Sequence, residues 1–430
     1  MKISFYTFGC KVNQYETQAM AQLFAAQGWD VVEFSHSGGW DVVVVNSCTV
    51  TAEGDRKTRQ LLRRLRREHP EAVICLTGCF PQSFPAEAGA MEEADVVTGS
   101  KDRRALMAAL DRFLSTRERV VEIRPHQTGE SFEALSAGGF GRRTRAFLKI
   151  EDGCENYCAY CIIPTARGPV RSKEMGALRQ ELEALAAAGY QEVVLAGINL
   201  SAYGREYGLR LIDAIETAAA VPGLRRVRLG SLEPDVIGPE DFARMAAAGK
   251  VCPQFHLSLQ AGCDATLRRM GRRYDTAHYL AAVEEIRRRF PLAAITTDLM
   301  VGFPGETLGD FEESVAFARR VGFARIHVFP YSRRPGTRAA EMPGQLPQEE
   351  KRRRAARLIA VGEELRGAFL ASMEGTVQEV LFEEGGAEGQ VGYTPNYTPV
   401  TVRELSPLQG RILPVRLAGR EGDGCGGCLV

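Results

Sequence analysis

Three cysteines stand within eight residues in the stretch Cys154-Glu-Asn-Tyr-Cys158-Ala-Tyr-Cys161. Three thiolates at this spacing can wrap one iron–sulfur cluster. A [4Fe–4S] cube held by three ligands leaves one iron open, and an open iron can chelate a small molecule. The other reading of such a triplet is a zinc site short of its fourth ligand. Zinc motifs usually pair two CxxC-like units, and no partner unit lies nearby in the sequence.

A second set of cysteines is dispersed. Cys10, Cys48 and Cys79 each stand just past an apolar run, in FYTFGC, VVVVNSC and ICLTGC, at separations of 38 and 31 residues. Each interval is about one strand–helix unit. Parallel strands bring their C-terminal ends to one edge, where open α/β sheets bind ligands. The three thiols are therefore expected to converge and to hold a second cluster. The bland alternative is burial, since cysteine packs well in cores. Cys75, Cys252 and Cys263 read as packing. Cys425 and Cys428 form a CxxC on a Gly-rich end, read either as an exposed tail or as a redox, metal or sulfur-relay pair.

The elements that would position these thiols follow from periodicity. Residues 3–8, 41–45, 72–76 and 95–97 read as strands, with helical patterns at 13–27, 55–68 and 85–91. Alternation of this kind implies α/β architecture, with an N-terminal doubly wound parallel-sheet domain over residues 1–136. The Gly- and Ser-rich stretch 129–144 reads as a linker. Six strand candidates follow, at 146–150, 192–196, 225–229, 254–259, 294–301 and 325–330. With helices between them they imply a central partial (βα)6 TIM-like barrel over residues 144–342. Its functional end is the C-terminal end of the strands, where the Cys154 loop falls. A charged helix at 348–370 leads to residues 371–430. Their short alternating stretches, such as 376–382 and 400–405, read as a small all-β domain.

Composition narrows the classes. The chain has 430 residues, 45% apolar and 25% charged, which excludes wholesale disorder and suggests about three domains. Charge balances at 54 basic against 54 acidic, so a globally basic nucleic-acid binder is excluded while local patches are not. No apolar run reaches the ~18 residues of a membrane helix, and the start MKISFYTFGC lacks a signal-peptide core. A cytoplasmic setting, no membrane and thiols reserved for metal or catalysis are the expectation.

CxxxCxxC on the first loop of a (βα)6 barrel resembles the radical S-adenosylmethionine superfamily. Over nearly the whole chain the sequence is similar to the methylthiotransferase family within it. The carrying motifs are TFGCKVNQYET, NSCTVTAEGDRKTRQ, TGCF and DGCENYCAYCIIPTARGPVRS. The form GCKVNQYE is most like the branch that modifies N6-threonylcarbamoyladenosine in tRNA; the isopentenyladenosine branch tends toward GCQMN and the ribosomal-protein branch toward GCxKN. Residues 392–400, GYTPNYTPV, are similar to the first branch too.

The resemblance implies a radical methylthiotransferase acting at C2 of that nucleoside, next to the anticodon. It implies two [4Fe–4S] clusters. One, at Cys154, Cys158 and Cys161, would chelate S-adenosylmethionine and cleave it to a radical. The other, auxiliary, at Cys10, Cys48 and Cys79, would carry or position the sulfur. An electron donor and a sulfur donor would be needed. Strand-end candidates for binding S-adenosylmethionine are Gly197, Asn199, Ser231, Gln260, Gly302 and Gly305. Arg167 and Arg171 could pair with a carboxylate or bridge the two iron-binding domains, or form surface salt bridges.

For RNA, Arg56, Arg59, Arg63 and Arg66 fall on one helical stripe beside Cys48; the alternative is a solvated helix face. Arg268, Arg269, Arg272, Arg273 and the run 351–354 are weaker candidates. The terminal domain, TRAM-like by the resemblance, carries four arginines, no lysine and eight carboxylates. It should gain little by counterion release, although Tyr393 and Tyr397 could stack on bases. Rival readings are a methylthiotransferase for isopentenyladenosine tRNA or a ribosomal protein, a sulfur-inserting enzyme that adds no methyl group, and a two-cluster electron carrier.

Overall fold

The structure is a computed structural model describing residues 1–136, 138, 144–386, 389–404 and 406–430. Part of the linker read at 129–144, and the last residue of the strand read at 400–405, lie outside the described residues.

The first six strands are β1 (Lys2–Thr7), β2 (Asp30–Val32), β3 (Val42–Ser47), β4 (Val73–Gly78), β5 (Val96–Thr98) and β6 (Val120–Glu122). They form one parallel sheet in the order β2-β1-β3-β4-β5-β6. β3 and β4 are buried along their length, as strands covered on both faces must be. Val42 and Val44 pack one way, with Met20, Phe24 and Phe113. Val43 and Val45 pack the other way, with Leu61, Leu62 and Leu65 of the helix Ala52–Glu68. The chain leaves β1 toward β2 on one side and returns to β3 on the other, so the crevice where strand order reverses lies between β1 and β3. The edge strands β2 and β6 and the helix Arg104–Thr116 had no place in the sequence reading. The two strands are three residues long and partly exposed, which leaves no alternation to read.

The central wall is built from β7 (Arg145–Lys149), then the short antiparallel pair β8 (Glu151–Asp152) and β9 (Arg171–Ser172) that closes the base of the cysteine loop. It continues through β10 (Glu192–Ala196), β11 (Arg226–Leu229), β12 (Ser231–Leu232), β13 (Gln254–Leu257), β14 (Ala294–Val301) and β15 (Arg325–Pro330). All neighbours in the wall run parallel, and the six anticipated strand positions are occupied. The third position is split at Gly230: β11 pairs with β10, whereas β12 pairs with β13. The wall's two ends are covered from different directions. The helix Lys11–Ala26 lies against β7, and the helix Gln348–Met373 against β15.

The last five strands, β16 (Val377–Gly386), β17 (Gly389–Tyr393), β18 (Pro399–Val402), β19 (Ile412–Glu421) and β20 (Gly424–Leu429), close into a barrel in the order β16-β17-β18-β20-β19. Its core of Val380, Phe382, Val400, Val415 and Leu417 is capped by Leu370 and Met373 of the preceding helix. Cys425 and Cys428 are not a loose tail. Both lie in β20, Cys425 buried in the core and Cys428 exposed. Three residues apart on a strand places them on opposite faces, so they are not a dithiol pair.

This small barrel docks on the N-terminal ends of the central strands, the end away from the cysteine loop. Tyr393 and Tyr397 stack with centroids 4.8 Å apart. Arg145 lies 4.8 Å and Arg228 4.7 Å from the Tyr397 ring centroid. Arg228 also donates to the Pro395 carbonyl at 2.9 Å, and Arg226 to the Glu379 carbonyl at 2.6 Å. The two tyrosines are thus committed to holding the domain in place, which corrects their reading as base-stacking residues. Tyr397→Ala is expected to cost about 2 kcal/mol, read as a lowered urea midpoint, with Tyr397→Phe losing less. An unchanged midpoint for the alanine variant would show that the ring carries no docking energy.

Candidate active site between two thiol sets

The three dispersed cysteines sit where strand ends place them. Cys10 follows β1 and precedes the helix Lys11–Ala26; Cys48 follows β3; Cys79 opens a short helix after β4. The glycines before Cys10 and Cys79 have positive φ, +107° at Gly9 and +100° at Gly78. A Cβ at Gly9 would fall 2.8 Å from the Cys48 Cβ, and one at Gly78 2.5 Å from the Ser47 carbonyl. Only glycine lets the loops approach so closely. Asn13 ties them together. Its Nδ2 donates to the Phe8 carbonyl at 2.8 Å and to the Ser47 carbonyl at 3.1 Å. The Ser47 hydroxyl in turn donates to the Thr77 carbonyl at 2.6 Å. Burial, then the neighbouring Cys79, pushes the Cys48 thiol up to about 12. Burial raises Cys79 as well, and the Arg167 guanidinium opposes the rise.

Arg167 joins this set to the barrel. It is fully buried, in the short helix Ile163–Arg167 just after the Cys154 loop. Its Nε lies 3.2 Å from the Cys79 Sγ, its Nη2 donates to the Asn13 Oδ1 at 2.5 Å, and its Nη1 pairs with the Glu16 Oε1 at 2.5 Å. Glu16, also fully buried, takes Arg103 at 2.5 Å and Lys149 at 2.6 Å as well. Asp152 takes Lys149 at 2.6 Å and Arg171 at 3.2 Å. Although burial opposes it, Arg103, Arg167 and Lys149 hold the Glu16 carboxyl well below the usual carboxylate range. Asp152 is likewise depressed against its burial, by Lys149 and Arg167. The Arg167 guanidinium beside Cys79 suits a thiolate ligand there.

The second set lies on the loop after β8. Gly153 (φ +92°) brings the loop so close to the Pro169 carbonyl that no Cβ fits, and Tyr157 (φ +46°) turns it between Cys154 and Cys158. The Ala159 amide is fixed by the Met270 carbonyl at 2.8 Å. Arg272 stands to this set as Arg167 does to the first. Its Nη1 lies 3.2 Å from the Cys158 Sγ, and its other arm pairs with Glu233. Burial pushes Cys154 and Cys161 up to about 12. Among the described residues no three His, Cys, Asp or Glu side chains gather into a site for a single metal ion. The donor chemistry of each set, three thiols with one guanidinium at a sulfur, fits an iron–sulfur cluster.

A cavity of about 390 Å³ runs along the inside of the barrel, from Cys10 to Asn396 and Tyr397 of the small β-barrel. Cys10 and Lys11 border it from one side and Gly197 and Ser231 from another. Asn199 is buried beside it, with its backbone amide on the Glu151 Oε2 at 2.7 Å and no partner for its side-chain amide. Gln260 holds a strained φ of +69° at the end of β13. Of the six strand-end candidates, Gly197 and Ser231 line the cavity, whereas Asn199, Gln260, Gly302 and Gly305 do not. A Cβ at Gly302 would strike the Lys351 side chain, and the Gly305 amide bonds the Gly344 carbonyl at 2.9 Å. Both glycines serve loop packing and do not line the cavity.

Residues 148–318 match the Radical SAM superfamily, and residues 2–99 match the family described as Uncharacterized protein family UPF0004. The threonylcarbamoyladenosine tRNA methylthiotransferase MtaB of Bacillus subtilis is 37% identical, over 96% of this chain and 93% of that protein. The corresponding protein of Aquifex aeolicus is 35% identical, over 89% and 93%. The chain belongs to the radical S-adenosylmethionine methylthiotransferase family. The tRNA-2-methylthio-N(6)-dimethylallyladenosine synthase of Acidothermus cellulolyticus is 37% identical over 88% of the chain and 77% of its own length. Among solved structures, the radical S-adenosylmethionine methyltransferase TsrM of Kitasatospora setae has the same fold (TM-score 0.57, 16% identity, covering 79% of this chain and 76% of its own). As a radical S-adenosylmethionine enzyme, the chain uses a [4Fe–4S] cluster and S-adenosylmethionine.

For a methylthiotransferase the arginines matter, and many are already engaged. On the stripe, Arg56 pairs with Glu53 at 2.5 Å, Arg59 with Glu87 at 2.5 Å and Arg63 with Glu93 at 3.3 Å. Arg66 is the clearest correction: it binds Asp95 at 2.6 Å and the carbonyls of Pro70, Ala72 and Glu93, which makes it a brace of the sheet. Arg269 pairs with Asp310, and Arg354 with Glu306 and Glu350. The sequence reading missed Lys11, Glu16, Lys149, Glu151 and Asp152. Glu16 alone had a local signal, a carboxylate on the inner face of an otherwise apolar helix. Glu16→Gln leaves three buried cations short of a counter-charge and is expected to cost about 3 to 5 kcal/mol. Because the native Glu16 carboxyl is depressed, its contribution is present above the ordinary carboxylate range and lost as pH falls below it. Urea titrations from neutral to acid pH should therefore show a shallower acid decline in Glu16→Gln than in the native chain.

Proposed function

We propose that the chain transfers a methylthio group to C2 of N6-threonylcarbamoyladenosine at position 37 of tRNA. The observation that carries this is the buried Arg167, which follows the Cys154–Cys161 loop and reaches the Cys79 Sγ of the other thiol set at 3.2 Å, so that the two sets lie against one domain junction. Residues 1–136 would hold the auxiliary cluster on Cys10, Cys48 and Cys79. Residues 144–342 would hold the cofactor-binding cluster on Cys154, Cys158 and Cys161, and residues 371–430 would brace the barrel. An unactivated aromatic C–H offers no leaving group, so the cofactors supply the radical chemistry and the protein supplies position and water exclusion.

The chain's own residues divide that work. Arg167 and Arg272 each donate toward one sulfur, and Arg167, which reaches Cys79 from the barrel, ties the two domains together. Gly197, Ser231, Asn199 and Gln260 present the polar end of the barrel to S-adenosylmethionine. Arg56, Arg59 and Arg63, on the helix that follows Cys48, offer the basic face for the RNA backbone. A tRNA substrate places the enzyme in the cytoplasm, with an electron donor and a sulfur donor as partners. Among the described residues no helix is long and apolar enough to cross a membrane.

Two measurements test this. Anaerobically reconstituted protein should bind about eight irons per chain. Replacing Cys10, Cys48 and Cys79 together by alanine should leave about four, and so should replacing Cys154, Cys158 and Cys161. About four in the native chain would remove the auxiliary cluster. Second, incubation with tRNA, S-adenosylmethionine, a sulfur source and a reductant should yield 2-methylthio-N6-threonylcarbamoyladenosine by nucleoside mass spectrometry. A methylthio product on isopentenyladenosine would move the substrate to the neighbouring branch. Cofactor cleavage without any tRNA product would redirect the search to proteins.

A further inference from the structure

Lys11, immediately after Cys10, borders the barrel cavity that Cys10 also lines. The cavity's lining carries three cations, Lys11, Arg325 and Arg366, and no carboxylate. Two of the cations are answered from outside the lining. Arg325 pairs with Asp423 at 3.2 Å, and Arg366 with the same carboxylate at 3.7 Å. Asp298 lies 3.6 Å from His256, a further lining residue. Among the described residues Lys11 alone of the three has no ion pair. The carboxylate whose field it feels, Glu192, is spent on Arg228 at 2.6 Å and Arg226 at 3.5 Å. A cation facing an enclosed space without a counter-ion is disfavoured unless an anion joins it there.

The substrate reading above supplies a candidate anion, and this inference rests on that reading. In a 6-substituted adenine the reacting C2 and the N6 substituent flank N1 on the same edge of the ring. When C2 faces the Cys10, Cys48 and Cys79 set, the N6 substituent necessarily extends along the neighbouring wall. The threonylcarbamoyl group ends in a carboxylate and a hydroxyl; an isopentenyl group ends in methyls. The methionine carboxylate of S-adenosylmethionine is the other anion in the reaction, and it belongs to the open iron of the Cys154 set.

We infer that Lys11 is a specificity-determining residue that pairs with the carboxylate of the substrate's N6-threonylcarbamoyl group. Its place beside Cys10 couples recognition of the substituent to placement of C2 at the sulfur-bearing side. A neutral substituent would leave Lys11 unpaired in the cavity, and so is rejected by the charge it fails to answer.

The test is a ratio of affinities. Reconstituted full-length enzyme is titrated with two anticodon stem–loop RNAs that differ only in the threonyl group, one the free acid and one its methyl ester. The native chain should bind the acid about tenfold more tightly. In Lys11→Gln the ratio should fall to about one, and Lys11→Arg, which keeps the charge, should keep most of it. A lysine that merely balanced the thiolates or supported the fold would weaken both RNAs alike and leave the ratio intact; that result overturns the inference. A ratio near one in the native chain overturns it without any variant. Dialysis against labelled S-adenosylmethionine separates the two carboxylates, since a loss of cofactor affinity in Lys11→Gln with the RNA ratio preserved assigns Lys11 to the cofactor. Native enzyme that methylthiolates the free acid without preferring it refutes the lysine assignment alone. Native enzyme that acts on neither RNA refutes the substrate reading and the lysine assignment together.

Discussion

The fixed separation of the two thiol sets depends on one buried guanidinium. Arg167 leaves the short helix that follows Cys161 and reaches Cys79, Asn13 and Glu16 in the other domain. A charge with no exposure to water cannot be left unpaired without a cost of several kcal/mol. Any rotation of the N-terminal sheet against the barrel would strand Arg167 and Lys149, which reach Glu16 from the barrel side. The register between the domains is therefore set by electrostatics and not by the chain that links them. Buried ion networks are weak evidence of stability, because apolar residues of similar volume would pack as well. They are better understood as devices of geometry. Here the geometry at stake is the path from one sulfur-ligand set to the other.

What the sequence displayed of this arrangement was what is local. The CxxxCxxC loop shows itself within eight residues, and each dispersed cysteine shows itself by ending an apolar run. The parallel sheet and the six-strand wall show themselves by alternation of apolar runs with helical patterns, and all six wall positions are occupied. The interface was hidden because its partners are distant in sequence. Lys149 meets Glu16 across 133 residues, and Arg167 meets Asn13 across 154. Periodicity cannot show such pairs. The same limit explains the arginine stripe. Its spacing on the helix was right, but Glu87, Glu93 and Asp95 that engage it come from other segments. Arg272, read as a weaker candidate for RNA contact, has its guanidinium against Cys158 for the same reason.

The barrel's two ends are treated differently. At the C-terminal ends of the strands lie the cysteine loop and the residues Gly197 and Ser231, which border the cavity. At the N-terminal ends, Arg145, Arg226 and Arg228 point toward the small β-barrel and are met there by tyrosine rings and backbone carbonyls. An acidic module docked on arginines explains a composition that made little sense for an RNA binder. Glu383 answers Arg145 and Glu379 answers Arg225, so part of its negative charge is used against the barrel. The domain's cost in RNA repulsion is thereby reduced, and its contribution lies in closing the end of the barrel opposite the chemistry.

The two thiol sets also differ in what must fold before they exist. Cys154, Cys158 and Cys161 lie on one loop, whose turn is fixed by Gly153, Tyr157 and backbone bonds that include Cys154 to Gly168 and Ala159 to Met270. Cys10, Cys48 and Cys79 are brought together only when β1, β3 and β4 have paired and Asn13 has bridged their ends. Burial lifts Cys48, Cys154 and Cys161 to about 12, so desolvation opposes the thiolate form in both sets. The guanidiniums at Cys79 and Cys158 supply part of the compensating charge; irons held by these thiols would supply the rest, and their ligation would release protons. In the barrel set that exchange can occur on a local loop. In the N-terminal set it is coupled to the folded sheet and, through Arg167, to the docked barrel. A cluster on Cys10, Cys48 and Cys79 would thus be complete only in a chain whose two domains are already in register, because Arg167 reaches Cys79 from the barrel.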